Sequence, residues 1–156
     1  MNIYIATDHA GFDHKEELKN FFELENIKGH LYKIIDVGAT DMDSTDDYTS
    51  YVHSAMKLLK RDWDMGLESR AILFGGSGEG EAMVANRYSG IRATVYYGYD
   101  MDIIRLGREH NDANVLSLGA RFINYDEMKQ AVTVFLETQF SNGDRHIRRI
   151  SKIDIH

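Results

Sequence analysis

The stretch Ala71 to Arg87, AILFGGSGEGEAMVANR, restricts what this chain can fold into more than any other. Four apolar residues run into a loop of alternating glycines and then into an Ala/Met/Val segment of helical character, which reads as strand, loop and helix in succession. Gly75, Gly76, Gly78 and Gly80 permit close backbone approach, so the loop amides can turn inward around something small and negative. Ser77 adds a hydroxyl, and Glu79 and Glu81 add carboxylates.

Three familiar glycine signatures fail here. A dinucleotide fingerprint needs Gly or Ala to close GxGxxG, but Glu81 follows Gly76-Ser77-Gly78 at that place and Met83 follows Gly78-Glu79-Gly80. A GxxxxGK phosphate loop needs a lysine where Glu81 stands, and a nucleophile elbow needs a glycine where Glu79 stands. An acid in an amide cradle competes with a bound phosphate by like-charge repulsion. It does suit proton abstraction next to a carbonyl: the carboxylate takes the proton while the amides and Ser77 stabilise the enediolate oxygen. The alternative for Glu81 is a plain first-turn helix acid.

Around this stretch, apolar segments alternate with amphipathic ones. Asn2–Thr7, His30–Val37, Ile91–Tyr97 and Val115–Leu118 read as strands, and 12–25, Tyr48–Lys60, Asp100–Glu109 and Tyr125–Phe140 read as helices. In the Asp100–Glu109 helix, Met101, Ile104 and Leu106 are expected on the buried side. The alternation predicts an α/β fold: a three-layer sandwich with a parallel sheet of about five strands and helices on both faces. At 156 residues one domain, 1–156, is expected.

Loops at the carboxyl ends of parallel strands gather where ligands bind, so Asp8 and His9 are expected to share a crevice with the glycine loop. Their alternatives are a turn acid and a solvated histidine. Gly38 to Asp47 holds four aspartates without calcium-loop spacing and reads as a solvated acidic loop. His110, in the polar turn 110–114, is either a general acid or base or an exposed turn histidine. Arg145 and Arg149 stand four apart and share a helical face, which suits a phosphate or a solvated surface pair.

A net charge of −7 gives no general attraction to nucleic acid or anionic lipid, and no apolar run approaches the ~20 residues that span a bilayer. Without cysteine there is no thiolate base or Cys-ligated zinc, and His9 and His14, five apart, make no metal motif. The start MNIYIATDHAG lacks the long apolar core of a signal peptide, so the cytoplasm is the expected location.

Taken together, DHAG (Asp8–Gly11), GGSGEGE (Gly75–Glu81), AN (Ala85, Asn86), REHNDANVL (Arg108–Leu116), GAR (Gly119–Arg121) and RHIRR (Arg145–Arg149) resemble ribose-5-phosphate isomerase B. The match runs in order through nearly the whole chain. The wider family also includes galactose-6-phosphate isomerase subunits, and the HNDAN cluster and RHxxR-like ending look more like the ribose enzymes. The resemblance implies a Rossmann-like fold and an aldose–ketose isomerase acting through an enediolate, with neither metal nor organic cofactor. It implies a homodimer, with a tetramer as the alternative assembly, whose sites lie between subunits. Its ligand is a phosphorylated sugar rather than nucleic acid or membrane. By the same resemblance the glycine loop (Gly76, Gly78, Gly80) and Ser77 hold the oxyanion. Asp8 and His110 serve sugar binding and ring opening, and Asn111 binds a hydroxyl. His9, Arg121, Arg145 and Arg149 hold the phosphate, and Tyr48 lines the sugar site.

Two departures accompany the resemblance. Many family members carry a cysteine base where this chain has Gly75, whereas a branch resembling the mycobacterial enzymes reads GGSGxGE and uses the terminal glutamate, here Glu81. Thr49 replaces a family proline. Glu81 is therefore expected to be the base, with Glu79 as the alternative if the loop is shifted by one residue. Isomerisation of allose or galactose 6-phosphate and non-catalytic sugar-phosphate binding are the competing functions.

Overall fold

The structure, a computed structural model, describes residues 1–24 and 32–154. Its strands are β1 (Asn2–Thr7), β2 (Lys33–Asp36), β3 (Arg70–Gly75), β4 (Ala93–Tyr96) and β5 (Val115–Gly119). The helices are α1 (Phe12–Leu24), α2 (Tyr48–Asp64), α3 (Glu79–Ala85), α4 (Asp102–Asn111), α5 (Tyr125–Glu137) and α6 (Asp144–Ile150). A single 3-10 turn, His9–Gly11, leads into α1. The five strands are all parallel, in the order β2-β1-β3-β5-β4.

Alternation along the central strands builds two cores. Ile3, Ile5, Ile72, Phe74, Leu116 and Leu118 point to one face, against Leu18 of α1, Ile104 of α4 and Met128, Val132 and Phe135 of α5. Tyr4, Ala6, Ala71, Leu73 and Val115 point to the other, against Val52, Ala55, Met56 and Leu59 of α2 and Ala85 of α3. Because both faces are covered, β1, β3 and β5 read as nearly continuous apolar runs, as parallel strands do. The expected three-layer α/β architecture is the observed one.

The element boundaries differ in detail. The second strand is limited to Lys33–Asp36, and positions 30 and 31 of the expected strand lie outside the described residues, as does position 25 of the first helix. The second helix runs on to Asp64, and α5 ends at Glu137, where Thr138 turns to extended backbone. Leu106 does not belong to the buried side of α4: it is 46% exposed, while Ile104 and Arg108, one helical turn apart, face inward.

The strand order also positions the loops. From β1 the chain passes to β2 on one side and later returns to place β3 on the other, so the loops leaving β1 and β3 diverge around a crevice. In register, Thr7 pairs with Phe74 and Gly75 with Gly119. Asp8, Gly76 and Ala120 therefore leave the sheet close together. Among the described residues no helix is long and apolar enough to cross a membrane.

Candidate active site

Glu81 dominates the carboxyl end of the sheet. It lies in the first turn of α3 and is 4% exposed, while Glu79 at the start of the same helix is exposed. Its carboxylate lies against the backbone of Gly75, and a Cβ at that position would overlap it. Burial pushes the Glu81 carboxyl above its ordinary range and the nearby charge of Asp8 adds to this, partly offset by its own backbone amide.

The glycine loop between β3 and α3 wraps this acid. Gly78 turns at φ +80°, a conformation that other residues rarely adopt, and its carbonyl accepts the Ser117 hydroxyl of β5 at 2.6 Å. The Ser77 hydroxyl oxygen accepts from the Glu79 amide at 3.3 Å, which leaves its proton available for donation. Tyr48, the first residue of α2, reaches over the loop: its hydroxyl would stand 2.7 Å from a Cβ at Gly80. Arg121, two residues beyond β5, covers the other end, with Cζ 3.3 Å from the Cβ position of Gly76.

From β1, Asp8 enters the same crevice. It is 7% exposed and accepts from the Ala10 amide at 2.9 Å, capping the turn His9–Gly11. The capping alternative for Asp8 is thus also true, yet its charge also acts on Glu81. His9 Nδ1 stands 2.6 Å from Asp46 Oδ1, which also accepts the His9 backbone N–H at 3.2 Å. The acidic loop is exposed at Asp41, Asp43 and Asp47, as a solvated loop should be, but the Asp46 side chain, paired with His9, is only 8% exposed. Hydrogen bonding to Asp46 raises the His9 pKa; desolvation opposes it, the charges of Asp8 and Asp46 add to it, and Arg121 acts against it. Asp8, His9 and Asp46 bring ligand-type atoms within 4.8 Å of one another. The 2.6 Å contact is nevertheless the length of a hydrogen bond, shorter than the spacing of two donors around one ion at bonds of about 2.1 Å.

The remaining predicted residues are elsewhere in the chain. After β4, helix α4 runs back to the amino edge of the sheet, where the Asn114 carbonyl accepts from Ala71 and its amide donates to Arg92. His110 and Asn111, in the last turn of α4, are thus at the end opposite the glycine loop. The five residues of β5, at about 3.3 Å each, put ~16 Å between the two ends. Helix α6 joins them there. The His146 ring stacks on His110 at 4.3 Å with planes 9° apart, and Arg145 Nε donates to His146 Nε2 at 3.1 Å. Burial lowers the His146 pKa, with His110, Arg145 and Arg149 acting in the same direction. Arg145 and Arg149 are exposed.

One chain therefore assembles Asp8, His9, Tyr48, Gly76, Ser77, Gly78, Gly80, Glu81 and Arg121 in one place, and His110, Asn111, Arg145 and Arg149 in another. Sequence reasoning missed Asp46 and His146. No periodicity marks Asp46, and His146 had only its place inside RHIRR. Chemically, the first group is a desolvated carboxylate beside an amide loop, a hydroxyl and two cationic side chains. Such a group can move a proton next to a polarised carbonyl.

The family model for Ribose/Galactose Isomerase matches residues 3–153. Ribose-5-phosphate isomerase B of Mycolicibacterium paratuberculosis is 35% identical over 150 residues, which cover 96% of this chain and 87% of that protein. A crystal structure of a ribose 5-phosphate isomerase from Thermotoga maritima is similar with a TM-score of 0.84 and 38% identity, over 98% of this chain and 97% of that one. Ribose-5-phosphate isomerase B from Mycoplasma genitalium, solved with bound ribulose-5-phosphate, gives a TM-score of 0.86 and 33% identity, over 97% of this chain and 93% of that one. With the match spanning the glycine loop, both polar clusters and every strand, the chain belongs to the ribose/galactose isomerase family.

Proposed function

We propose that the protein interconverts ribose 5-phosphate and ribulose 5-phosphate by proton transfer through an enediolate, with Glu81 as the base. The buried Glu81 carboxylate against Gly75 carries this reading, because a carboxyl raised above its ordinary range is a stronger base toward a C–H acid. Glu81 takes the proton from C2 of the open-chain aldose, and the C–H electron pair forms the C1–C2 double bond as charge moves to O1. The loop amides and the Ser77 hydroxyl hold that oxyanion. Glu81 returns the proton to C1 while the hydroxyl proton passes from O2 to O1, leaving the ketone at C2.

The other roles are those that the family resemblance implies. Asp8 and His110 open the furanose ring and bind the sugar, Asn111 takes a hydroxyl, and Tyr48 lines the sugar pocket. His9, Arg121, Arg145 and Arg149 bind the phosphate. The ~16 Å that separates His110 from the glycine loop within one chain supports a homodimer in which each site takes Glu81 from one subunit and His110 from the other. No metal or organic cofactor has a role in this scheme. A cytoplasmic location is part of the same reading.

The test is NMR of ribose 5-phosphate with purified protein in deuterated water. Ribulose 5-phosphate should accumulate to equilibrium with deuterium entering the exchanged carbon position. Binding without conversion overturns the assignment, and faster turnover of allose or galactose 6-phosphate moves it to another aldose phosphate.

A further inference from the structure

The tightest contact of the His9 ring is with Asp46. Asp46 Oδ1 receives both its ring Nδ1–H, at 2.6 Å, and its backbone N–H, at 3.2 Å, so a single carboxylate oxygen fixes main chain and imidazole together. Asp46 Oδ2 is buried, and the neighbouring Tyr51 hydroxyl feels the Asp46 charge. The side chain has 8% exposure, against 29% for His9. A carboxylate so desolvated is costly to leave without a cation, and the imidazolium is the cation in contact with it. With Nδ1 committed to Asp46, the ring is left with Nε2 for a ligand, and that nitrogen makes no hydrogen bond among the described residues.

We propose that Asp46 is a positioning residue that keeps His9 as an oriented imidazolium, with Nε2–H directed to the phosphate of the substrate. This rests on the reading of His9 as a phosphate ligand. The arrangement parallels metal-binding histidines, whose second nitrogen is fixed by a carboxylate that sets tautomer and orientation. The charged groups around His9 come from three segments. Asp8 adjoins it with Oδ2 4.0 Å from Nδ1, Asp43 and Asp46 come from the loop before α2, and Arg121 comes from the loop after β5. The Tyr51 hydroxyl of α2, pushed up by burial first and by Asp46 second, stays neutral. Three acids thus oppose one arginine, and Asp46 has the direct contact. A protonated His9 persists above its ordinary pKa, the range in which a phosphate monoester is mostly dianionic.

Asp46→Asn removes the charge and keeps the shape. In an NMR titration between about pH 5.5 and 8.5, with the His9 ring signal assigned by its loss in His9→Gln, the midpoint should fall by about one unit. KM for ribose 5-phosphate near neutral pH should rise about tenfold, with its pH dependence displaced to lower pH, and kcat should change far less because phosphate binding is uniform binding. Asp46→Glu, which keeps the charge, should hold the midpoint near that of the unmodified protein. In the His9→Gln background, Asp46→Asn should add no further rise in KM. An unmoved His9 midpoint, an unshifted KM profile, or the same KM penalty without His9 overturns the proposal. A protein that fails to isomerise ribose 5-phosphate overturns the functional reading instead. The clamp then remains testable by the His9 midpoint and by calorimetric binding of ribose 5-phosphate to the unmodified and Asp46→Asn proteins.

Discussion

The carboxylate of Glu81 occupies the space that a side chain at Gly75 would need. The two positions lie on different elements, the last residue of β3 and the first turn of α3, and converge on one point at the floor of the crevice. Family members with a cysteine at the place of Gly75 would put a thiol where this chain puts a carboxylate. Base identity can thus change from strand to helix with little movement of the reacting proton, provided that the strand position becomes glycine when the helix position becomes the acid.

That dependence is directly measurable. Gly75→Ala should displace the Glu81 carboxylate and lower kcat about 10²-fold with little change in KM, since misplacing a base by ~1 Å costs about that much. Glu81→Gln should lower kcat by ~10²–10⁴-fold and abolish solvent exchange at C2. In the Glu81→Gln background the alanine at 75 should cost little more, because both changes remove the same interaction. Steady-state kinetics on the two single variants and the double variant test this; full additivity of the two losses would contradict the shared space.

Glu81 also links pH to activity and stability in opposite senses. Burial, then Asp8, raises its carboxyl above 4.5, so the acid limb of the kcat/KM profile should have its midpoint above that value. An acid whose folded pKa is raised favours the fold while protonated, below its unfolded pKa, and that contribution is lost as pH rises through the folded value. The ionised base therefore costs stability at neutral pH, and Glu81→Gln should melt higher than the unmodified protein there. Calorimetric scans at pH 4 and about pH 7 check the sign: the advantage of the variant should grow with pH.

How far the sequence could be read depended on whether a residue's position is set locally. Ile3, Ile5, Ile72 and Phe74 belong to strands whose apolar runs specify burial on both faces, so the layers were legible. Glu81 was legible because the loop that holds it is continuous in sequence. Asp46 was not, since only the tertiary approach of His9 pulls it from an aperiodic acidic loop into the site. Buried charges are also invisible to pattern. Arg108 at 2% exposure donates to Asp112 at 2.8 Å and to the Ala113 carbonyl at 2.6 Å, occupying an inward position on α4 that periodicity assigns to an apolar residue. Leu106 was misplaced with it. The separation of His110 from the glycine loop follows from helix α4 running antiparallel to the strands, a relation motifs alone do not show.

A buried acid away from the active site should govern acid unfolding. Asp62 of α2 is 1% exposed and accepts from Asn2 at 2.8 Å, Tyr4 at 2.7 Å, Ser69 at 2.8 Å and Arg61 at 3.2 Å. Burial pushes its carboxyl up, but these four donors outweigh it and hold it at about 2 against an ordinary 3.8. A depressed pKa contributes stability above the unfolded value that is lost as pH falls through the folded one, here about 2 kcal/mol between about pH 4 and pH 2. Asp62→Ala should cost about 3 kcal/mol at pH 7 by leaving the Tyr4 and Ser69 hydroxyls without an acceptor. Urea unfolding of both proteins at pH 7 and near pH 2 should show the difference shrinking in acid.

The division of the site residues between two ends of one chain makes a prediction about mixed oligomers. In the proposed two-fold dimer each site draws Glu81 from one subunit and His110 from the other. Glu81→Gln homodimers then lack the proposed base in both sites, and His110→Gln homodimers lack the proposed ring-opening histidine in both. A heterodimer of the two variants gathers both defects into one site and leaves the other intact. Random reassociation makes about half the dimers heterodimers, each with one working site, so the mixture should recover about a quarter of the unmodified activity. Arg145→Ala in place of His110→Gln should complement Glu81→Gln in the same way, because α6 accompanies α4 through the His110–His146 stack at 4.3 Å. Kinetic assays before and after denaturation and joint refolding measure the recovery. Absence of any gain over the separate variants, with heterodimers demonstrated by mass spectrometry, would place the whole site within one chain and require α4 and α6 to reach the glycine loop by another route.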